Sequence, residues 1–151
     1  MTEAYNEFLQ GLRRLRDNDH DQALAHIHRA VELESHNPFF LSYLGVLQAR
    51  TPHRWSEAHR HCETALQMRR NEPQFYLNLA EVNLAAGRRD DAAETLIRGL
   101  KNLPKNARLL LALEKLGARR SPVLSFLERK HFLNRGLGKM RYLALQYFGR
   151  T

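Results

Sequence analysis

The side chains that could bind a metal ion are eight histidines and one cysteine. His26 and His28 are two residues apart in the sequence, and so are His59 and His61. A two-residue step on a helix turns side chains about 200° apart, so neither pair can chelate one ion. His59 and Cys62 are three residues apart and share a helical face, but a zinc site needs three or four ligands. We therefore predict no metal site, and we interpret Cys62 as a buried structural thiol.

Motifs that carry catalytic or cofactor chemistry are missing from the sequence. It contains no G-x-S-x-G nucleophile elbow, no glycine-rich phosphate loop and no H-E-x-x-H metal motif. We therefore predict neither enzymatic activity nor a cofactor. A catalytic pair assembled from distant residues would leave no such motif, so an enzyme remains a third hypothesis behind two binding functions.

Positive charge is concentrated at the C-terminal end of the sequence. Residues 1–118 contain 16 Lys/Arg and 15 Asp/Glu, whereas residues 119–151 contain eight Lys/Arg and one acid, Glu128. The basic residues there alternate with aromatic rings, a pattern that suits phosphate contacts and base stacking. It also suits an amphipathic helix that docks on the rest of the chain, which is the interpretation we favour. Seven of these eight basic residues are the candidate contacts of the tail: Arg119, Arg120, Arg129, Lys130, Arg135, Lys139 and Arg141.

The composition indicates a globular protein of the cytoplasm. Hydrophobic residues make up 43% of the chain and charged residues 26%, an ordinary balance for a folded domain. No apolar run approaches the ~18 residues of a membrane span, and the polar N-terminus does not look like a secretory signal. A single cysteine cannot form an intramolecular disulfide, which fits a reducing compartment.

A repeated pattern of small and apolar residues organises the sequence before the tail. An alanine is followed four residues later by an apolar residue and then by a small one. The three copies are Ala23/Ile27/Ala30, Ala58/Cys62/Ala65 and Ala92/Leu96/Gly99. Upstream of each copy lies a second small residue: Gly11, Gly45 and Ala80. Small residues let two helices approach closely, and the apolar residue fills the space between them.

The period of this pattern, 34 or 35 residues, resembles that of the tetratricopeptide repeat, a helix–turn–helix unit. The resemblance implies an all-α fold, a right-handed superhelical array of antiparallel helix pairs with a C-terminal capping segment. It places three repeats at about 4–37, 38–72 and 73–106, followed by a capping helix at 107–118 and the basic extension 119–151. The extension itself resembles those that follow repeat arrays in small bacterial proteins. The predicted helices are 3–16, 20–33, 38–50, 55–69, 73–86, 89–102 and 107–118.

Members of this family present a concave groove lined by the first helix of each pair. Aromatic residues in such a groove are good anchors for a partner peptide, although Phe8 fits packing between repeats equally well. The candidate groove residues are Tyr5, Phe8, Phe39, Ser42, Tyr43, Val46, Asn78, Glu81, Arg108 and Lys115. Some members bind a C-terminal carboxylate with Lys and Asn residues, but only Asn78 matches that set here. The resemblance therefore implies a protein–protein interaction module, with nucleic-acid or acidic-lipid binding by the tail as the alternative.

Overall fold

Seven α-helices follow one another in residues 1–51 and 54–117, the part of the chain that the computed structural model describes. They are α1 (Glu3–Arg16), α2 (His20–Leu33), α3 (Pro38–Gln48), α4 (Trp55–Met68), α5 (Pro73–Ala85), α6 (Arg89–Asn102) and α7 (Ala107–Lys115). These residues contain no strand, and none of their helices is long and apolar enough to cross a membrane. The predicted all-α repeat fold is confirmed.

Local sequence explains where these helices begin and turn. The side chains of Thr2, Asp19 and Asn37 each accept a hydrogen bond from a backbone N–H of the helix that follows. Proline stands at the start of α3 and α5, where its missing N–H costs nothing. Asn18 and Gly87 take positive φ values of 63° and 74° in the turns within two of the pairs. Both residue types tolerate this conformation.

Consecutive helices pack as pairs, α1 with α2, α3 with α4, and α5 with α6, while α7 packs on α5 and α6. Between pairs, α2 contacts α3 and α4 contacts α5. The first helices also contact one another, α3 with α5 and α5 with α7. They therefore form one layer, and their shared outer surface is the candidate groove.

Close approach within two pairs depends on glycine. A Cβ atom added at Gly45 would lie 2.6 Å from both the carbonyl oxygen of Ala58 and the Sγ atom of Cys62. At Gly11 the nearest atoms would be the Cδ1 and Cγ1 atoms of Ile27, both at 2.7 Å. The small residues of the repeat pattern thus set the distance between paired helices.

The apolar interior forms two clusters. The N-terminal core consists of Ala4, Phe8, Ala23, Ile27, Ala30, Phe40, Leu44 and Leu47. The main core extends from α3 to α7 and contains Phe75, Tyr76, Leu79, Leu96 and Leu109, among others. Helix α3 contributes to both, because Phe40 and Leu44 lie in the first cluster and Leu41 and Val46 in the second.

Two polar side chains are buried between paired helices. Gln48 and Asn83 are buried. The Gln48 Oε1 atom lies 2.8 Å from Nδ1 of His61, and Asn83 Nδ2 donates to Oγ1 of Thr95 at 3.2 Å. A hydrogen bond between paired helices therefore satisfies each of these buried polar groups.

Cys62 provides a direct test of the helix register. Its side chain is fully buried, its Sγ atom donates to the carbonyl oxygen of Ser42 at 3.3 Å, and burial raises the pKa of the thiol to about 12. The thiolate is the reactive form, so we expect a thiol reagent at neutral pH to label Cys62 only as fast as the protein opens. Denaturant should make labelling immediate. Rapid labelling of the native protein would contradict the register.

Candidate functional site

The ten predicted groove residues differ in how accessible they are. Tyr5, Glu81, Arg108 and Lys115 are exposed, and Phe39 and Tyr43 are half-buried. Phe8, Ser42, Val46 and Asn78 are buried, so their side chains support the surface from beneath rather than form it. The seven basic residues predicted to bind acidic partners lie in 119–151, outside the described residues.

A set of aromatic rings joins α1 to α3. The Phe8 ring lies at the centre, with its centroid 6.4 Å from that of Tyr5, 5.5 Å from that of Tyr43 and 4.8 Å from that of Phe40. The contact with Tyr43 is edge-to-face, a favourable geometry for aromatic pairs. Phe8 thus holds the two more accessible tyrosine rings in fixed positions. We call Tyr5, Phe8 and Tyr43 the aromatic floor.

Phe39 has partners of its own at the start of α3. Its ring meets that of Phe75 edge-to-face with centroids 4.9 Å apart, and the Arg69 guanidinium carbon lies 5.5 Å from the centroid of the Phe39 ring. These contacts tie α3 to α5 and to the end of α4. Phe39 is therefore a packing residue as well as a surface one.

A chain of side-chain hydrogen bonds crosses the layer of first helices. The Arg108 guanidinium donates to Oε1 of Gln74, whose Nε2 atom donates to Oδ1 of Asn78 at 2.7 Å. Asn78 Nδ2 donates in turn to Oγ of Ser42 at 2.9 Å. We call these four residues the polar chain. It links α7 to α5 and α5 to α3, and it explains how the polar side chains of Ser42 and Asn78 can be buried.

Charged groups surround the hydroxyl of Tyr43. Burial raises the pKa of Tyr43, Arg108 opposes this shift, and Glu81 and Glu72 add to it. Glu81 also forms an ion pair with Arg50, with 3.0 Å between Oε1 and Nη2. The tyrosine therefore remains a neutral hydrogen-bonding group at neutral pH.

Gln74 and Arg50 are absent from the predicted groove residues, although the structure places both at this surface. For Gln74 a signal was present, because it lies four residues before Asn78 and 34 before Arg108. The first spacing puts two side chains on one helical face, and the second is one repeat period. For Arg50 the sequence offers no such signal, since it pairs with Glu81 from the end of α3.

A cleft of about 460 Å³ lies between α2 and the connection from α3 to α4, away from the aromatic floor. Its charged residues include Arg29 and Arg54, which pair with Glu32 at 3.2 Å and Glu57 at 2.8 Å. Within the described residues no group of three or more His, Cys, Asp and Glu side chains is placed to hold a metal ion. The first-helix surface thus remains the candidate site.

Comparison with known proteins identifies the repeat. A family model described as tetratricopeptide repeat matches residues 49–116. Residues 49–116 therefore belong to the tetratricopeptide-repeat family. The match runs from the end of α3 through α7, and the pairing of α1 with α2 repeats the same arrangement before it. No curated protein matches the sequence.

Several solved structures share this fold, among them two tetratricopeptide-repeat domains. The first such domain of Spaghetti (RPAP3), bound to the HSP90 peptide SRMEEVD, is 17% identical with a TM-score of 0.62, covering 76% of this chain and 93% of its own. The Sgt2 domain from Aspergillus fumigatus is 14% identical with a TM-score of 0.64 and coverage of 78% for both chains. The Yersinia enterocolitica type III secretion chaperone SycD, in complex with a peptide of the translocator YopD, is 16% identical with a TM-score of 0.58. The match covers 75% of this chain and 91% of the SycD chain.

Proposed function

We propose that this tetratricopeptide-repeat protein is an interaction module that binds a peptide segment of a partner protein along its first helices. The observation that carries the proposal is the aromatic floor, where accessible tyrosine rings are held in place by a buried phenylalanine. Rigid aromatic side chains provide large contact area at small cost in conformational entropy, which makes them effective anchors. Two of the similar structures are described as complexes with peptides, which supports the same mode of binding.

Tyr43→Ala is expected to remove most partner binding while leaving the protein folded. The ring is half-buried and its loss leaves the helical backbone intact, whereas Leu44→Ala, which empties a buried site, should cost about 2–5 kcal/mol of stability. The measurement is recovery of partner proteins from a lysate with the full-length chain as bait, followed by mass spectrometry. Circular dichroism of each variant reports the fold.

Phe39→Ala provides a comparison within the same helix. It should weaken binding, and each of the two variants should lose about 0.5–1.5 kcal/mol of stability, because Tyr43→Ala removes the edge-to-face contact with Phe8 and Phe39→Ala removes the one with Phe75. Phe39→Ala also removes the contact with the Arg69 guanidinium. Tyr43→Phe keeps the ring and serves as the matched control. The proposal is wrong if Tyr43→Ala and Phe39→Ala lose helicity but recover the same partners as the wild-type chain.

Binding of nucleic acid or acidic lipid by the tail is the second candidate, favoured by the excess of seven positive charges in residues 119–151. Nuclease treatment of the same lysate separates the two functions. A partner that binds the groove stays bound after nuclease treatment and is lost in Tyr43→Ala. A partner held through nucleic acid is lost on nuclease treatment, and its binding falls steeply as salt is added.

A further inference from the structure

We infer that the groove accepts an internal, uncharged segment of its partner, with a large apolar side chain seated against the Tyr5 and Tyr43 rings, and rejects an acidic or C-terminal segment. This inference rests on the proposed function and names the chemistry of the segment that the same surface binds. It depends on three features of the first-helix surface: hydrogen-bond partners, charge, and the placement of apolar side chains.

The first feature is that the buried polar groups of this surface already have partners. Each member of the polar chain, from Arg108 to Ser42, contributes to a hydrogen bond within the protein. Among the described residues, the one buried side-chain nitrogen or oxygen without a partner is Nδ1 of His20 on α2, whose Nε2 atom lies 3.1 Å from Nη1 of Arg50. A ligand gains most from polar contacts that satisfy groups left unpaired without it. Here a polar ligand group would have to displace existing hydrogen bonds.

The second feature is that the charges near Tyr43 offset one another. Arg50 pairs with Glu81 at 3.0 Å, and Glu72 lies near enough to Tyr43 to influence its hydroxyl together with Arg108. A carboxylate placed beside the Tyr43 ring therefore meets Glu81 and Glu72 as well as Arg108. Like charges brought together oppose binding, so this arrangement disfavours an acidic peptide.

The third feature is the apolar surface that remains. Tyr5 is 43% exposed, and its ring and that of Tyr43 are both supported by Phe8. On the neighbouring first helices, Leu84 and Leu111 are 44% and 50% exposed. Leu84 follows Glu81 by three residues and Leu111 follows Arg108 by three, so each shares a helical face with a predicted groove residue. An apolar segment would cover these side chains and leave the polar chain intact.

The test uses a phage-displayed library of random peptides, selected on the full-length chain. The segment most enriched is then synthesised with a free and with an amidated C-terminus, and its Kd is measured by calorimetry at low and high salt. We expect apolar and aromatic residues to be enriched. Tyr43→Ala should weaken the Kd at least about tenfold, whereas Arg108→Gln, amidation and added salt should each change it less than about threefold.

The outcomes separate this inference from the proposed function. Enrichment of acidic peptides, or of peptides that need a free C-terminal carboxylate and lose binding in Arg108→Gln, would overturn the inference while leaving groove binding in place. Peptides whose binding is the same in wild-type and Tyr43→Ala chains would overturn the proposed function as well. A selection that enriches no peptide counts against both. Circular dichroism of Arg108→Gln and Tyr43→Ala shows whether each variant remains folded.

Discussion

Gly45→Ala is expected to lower the free energy of unfolding by about 1–3 kcal/mol, the usual cost of overpacking a tight interior. At an ordinary helical site the same change would raise it by about 1 kcal/mol, because alanine has the higher helix propensity. The sign reverses here because the new Cβ atom would lie 2.6 Å from the carbonyl oxygen of Ala58, and a backbone atom of a packed helix cannot move aside. Urea denaturation followed by circular dichroism measures the change.

Two other glycines give matched controls for this prediction. At Gly11 the two nearest atoms belong to the Ile27 side chain, and the nearest backbone atom, the carbonyl oxygen of Ala23, would lie at 3.3 Å instead of the 2.6 Å found at Gly45. Gly11→Ala should therefore cost less than Gly45→Ala. At Gly87 a Cβ atom would meet nothing within 4 Å, and the expected cost of about 1–2 kcal/mol comes from the positive φ alone. A Gly45→Ala protein as stable as the wild type would show that α3 and α4 are not packed as closely as described.

Truncation of the chain after residue 118 is expected to lower the melting temperature by several degrees and to cause aggregation. Leu110 stands one period after Tyr76, which is 1% exposed and packs in the main core, yet Leu110 is 49% exposed. Within the described residues α7 is followed by no second helix that could cover it. The tail supplies apolar residues at helical spacing, among them Val123, Phe126 and Leu127. We therefore propose that the tail covers this face, at about 1.5–3 kcal/mol per buried side chain before the entropy cost.

The salt dependence distinguishes docking of the tail from nucleic-acid binding. The burial of apolar surface does not depend on charge, so the truncated protein should aggregate at both low and high salt. Contacts with phosphate groups, by contrast, weaken steeply as the salt concentration rises. Leu110→Glu in the full-length chain should reproduce part of the loss in melting temperature, because a charge would replace the side chain to be covered. A truncated protein that stays stable and soluble but no longer binds DNA or RNA would instead support the second candidate function.

The helices were largely predictable because five of the seven described helices begin at a capping side chain, and two of these five also begin with proline. The ends of α1, α2 and α6 agree with the prediction, while α3, α4, α5 and α7 end one to three residues earlier than predicted. The residues lost from the end of α7 include Gly117, whose φ of 57° follows the last turn of the helix. A glycine with positive φ commonly ends a helix, and the spacing of apolar residues gives no sign of such an end.

The candidate site was less predictable because accessibility depends on distances between helices. The register assigns Ser42, Val46 and Asn78 to the first helices, but it does not say how closely α3 and α5 approach, and all three are buried. The hydrogen bonds of the polar chain could not be predicted for the same reason, since they join residues of three helices. The side chains of Tyr5 and Arg108 are exposed, since their helices α1 and α7 have fewer neighbouring helices in the described residues.

The division of the interior into two clusters has a consequence for local unfolding. The buried apolar residues of α1 and α2 all belong to the N-terminal core, and only the partly buried Val31 of α2 also packs against the main core, whereas α3 contributes buried residues to both clusters. The terminal pair is therefore the part that can open while the rest of the array stays folded, as hydrogen exchange detects in repeat proteins. Such an opening would withdraw Tyr5 and Phe8 from beside Tyr43 and split the aromatic floor. A bound segment that spans both tyrosines would in turn hold the N-terminal pair closed.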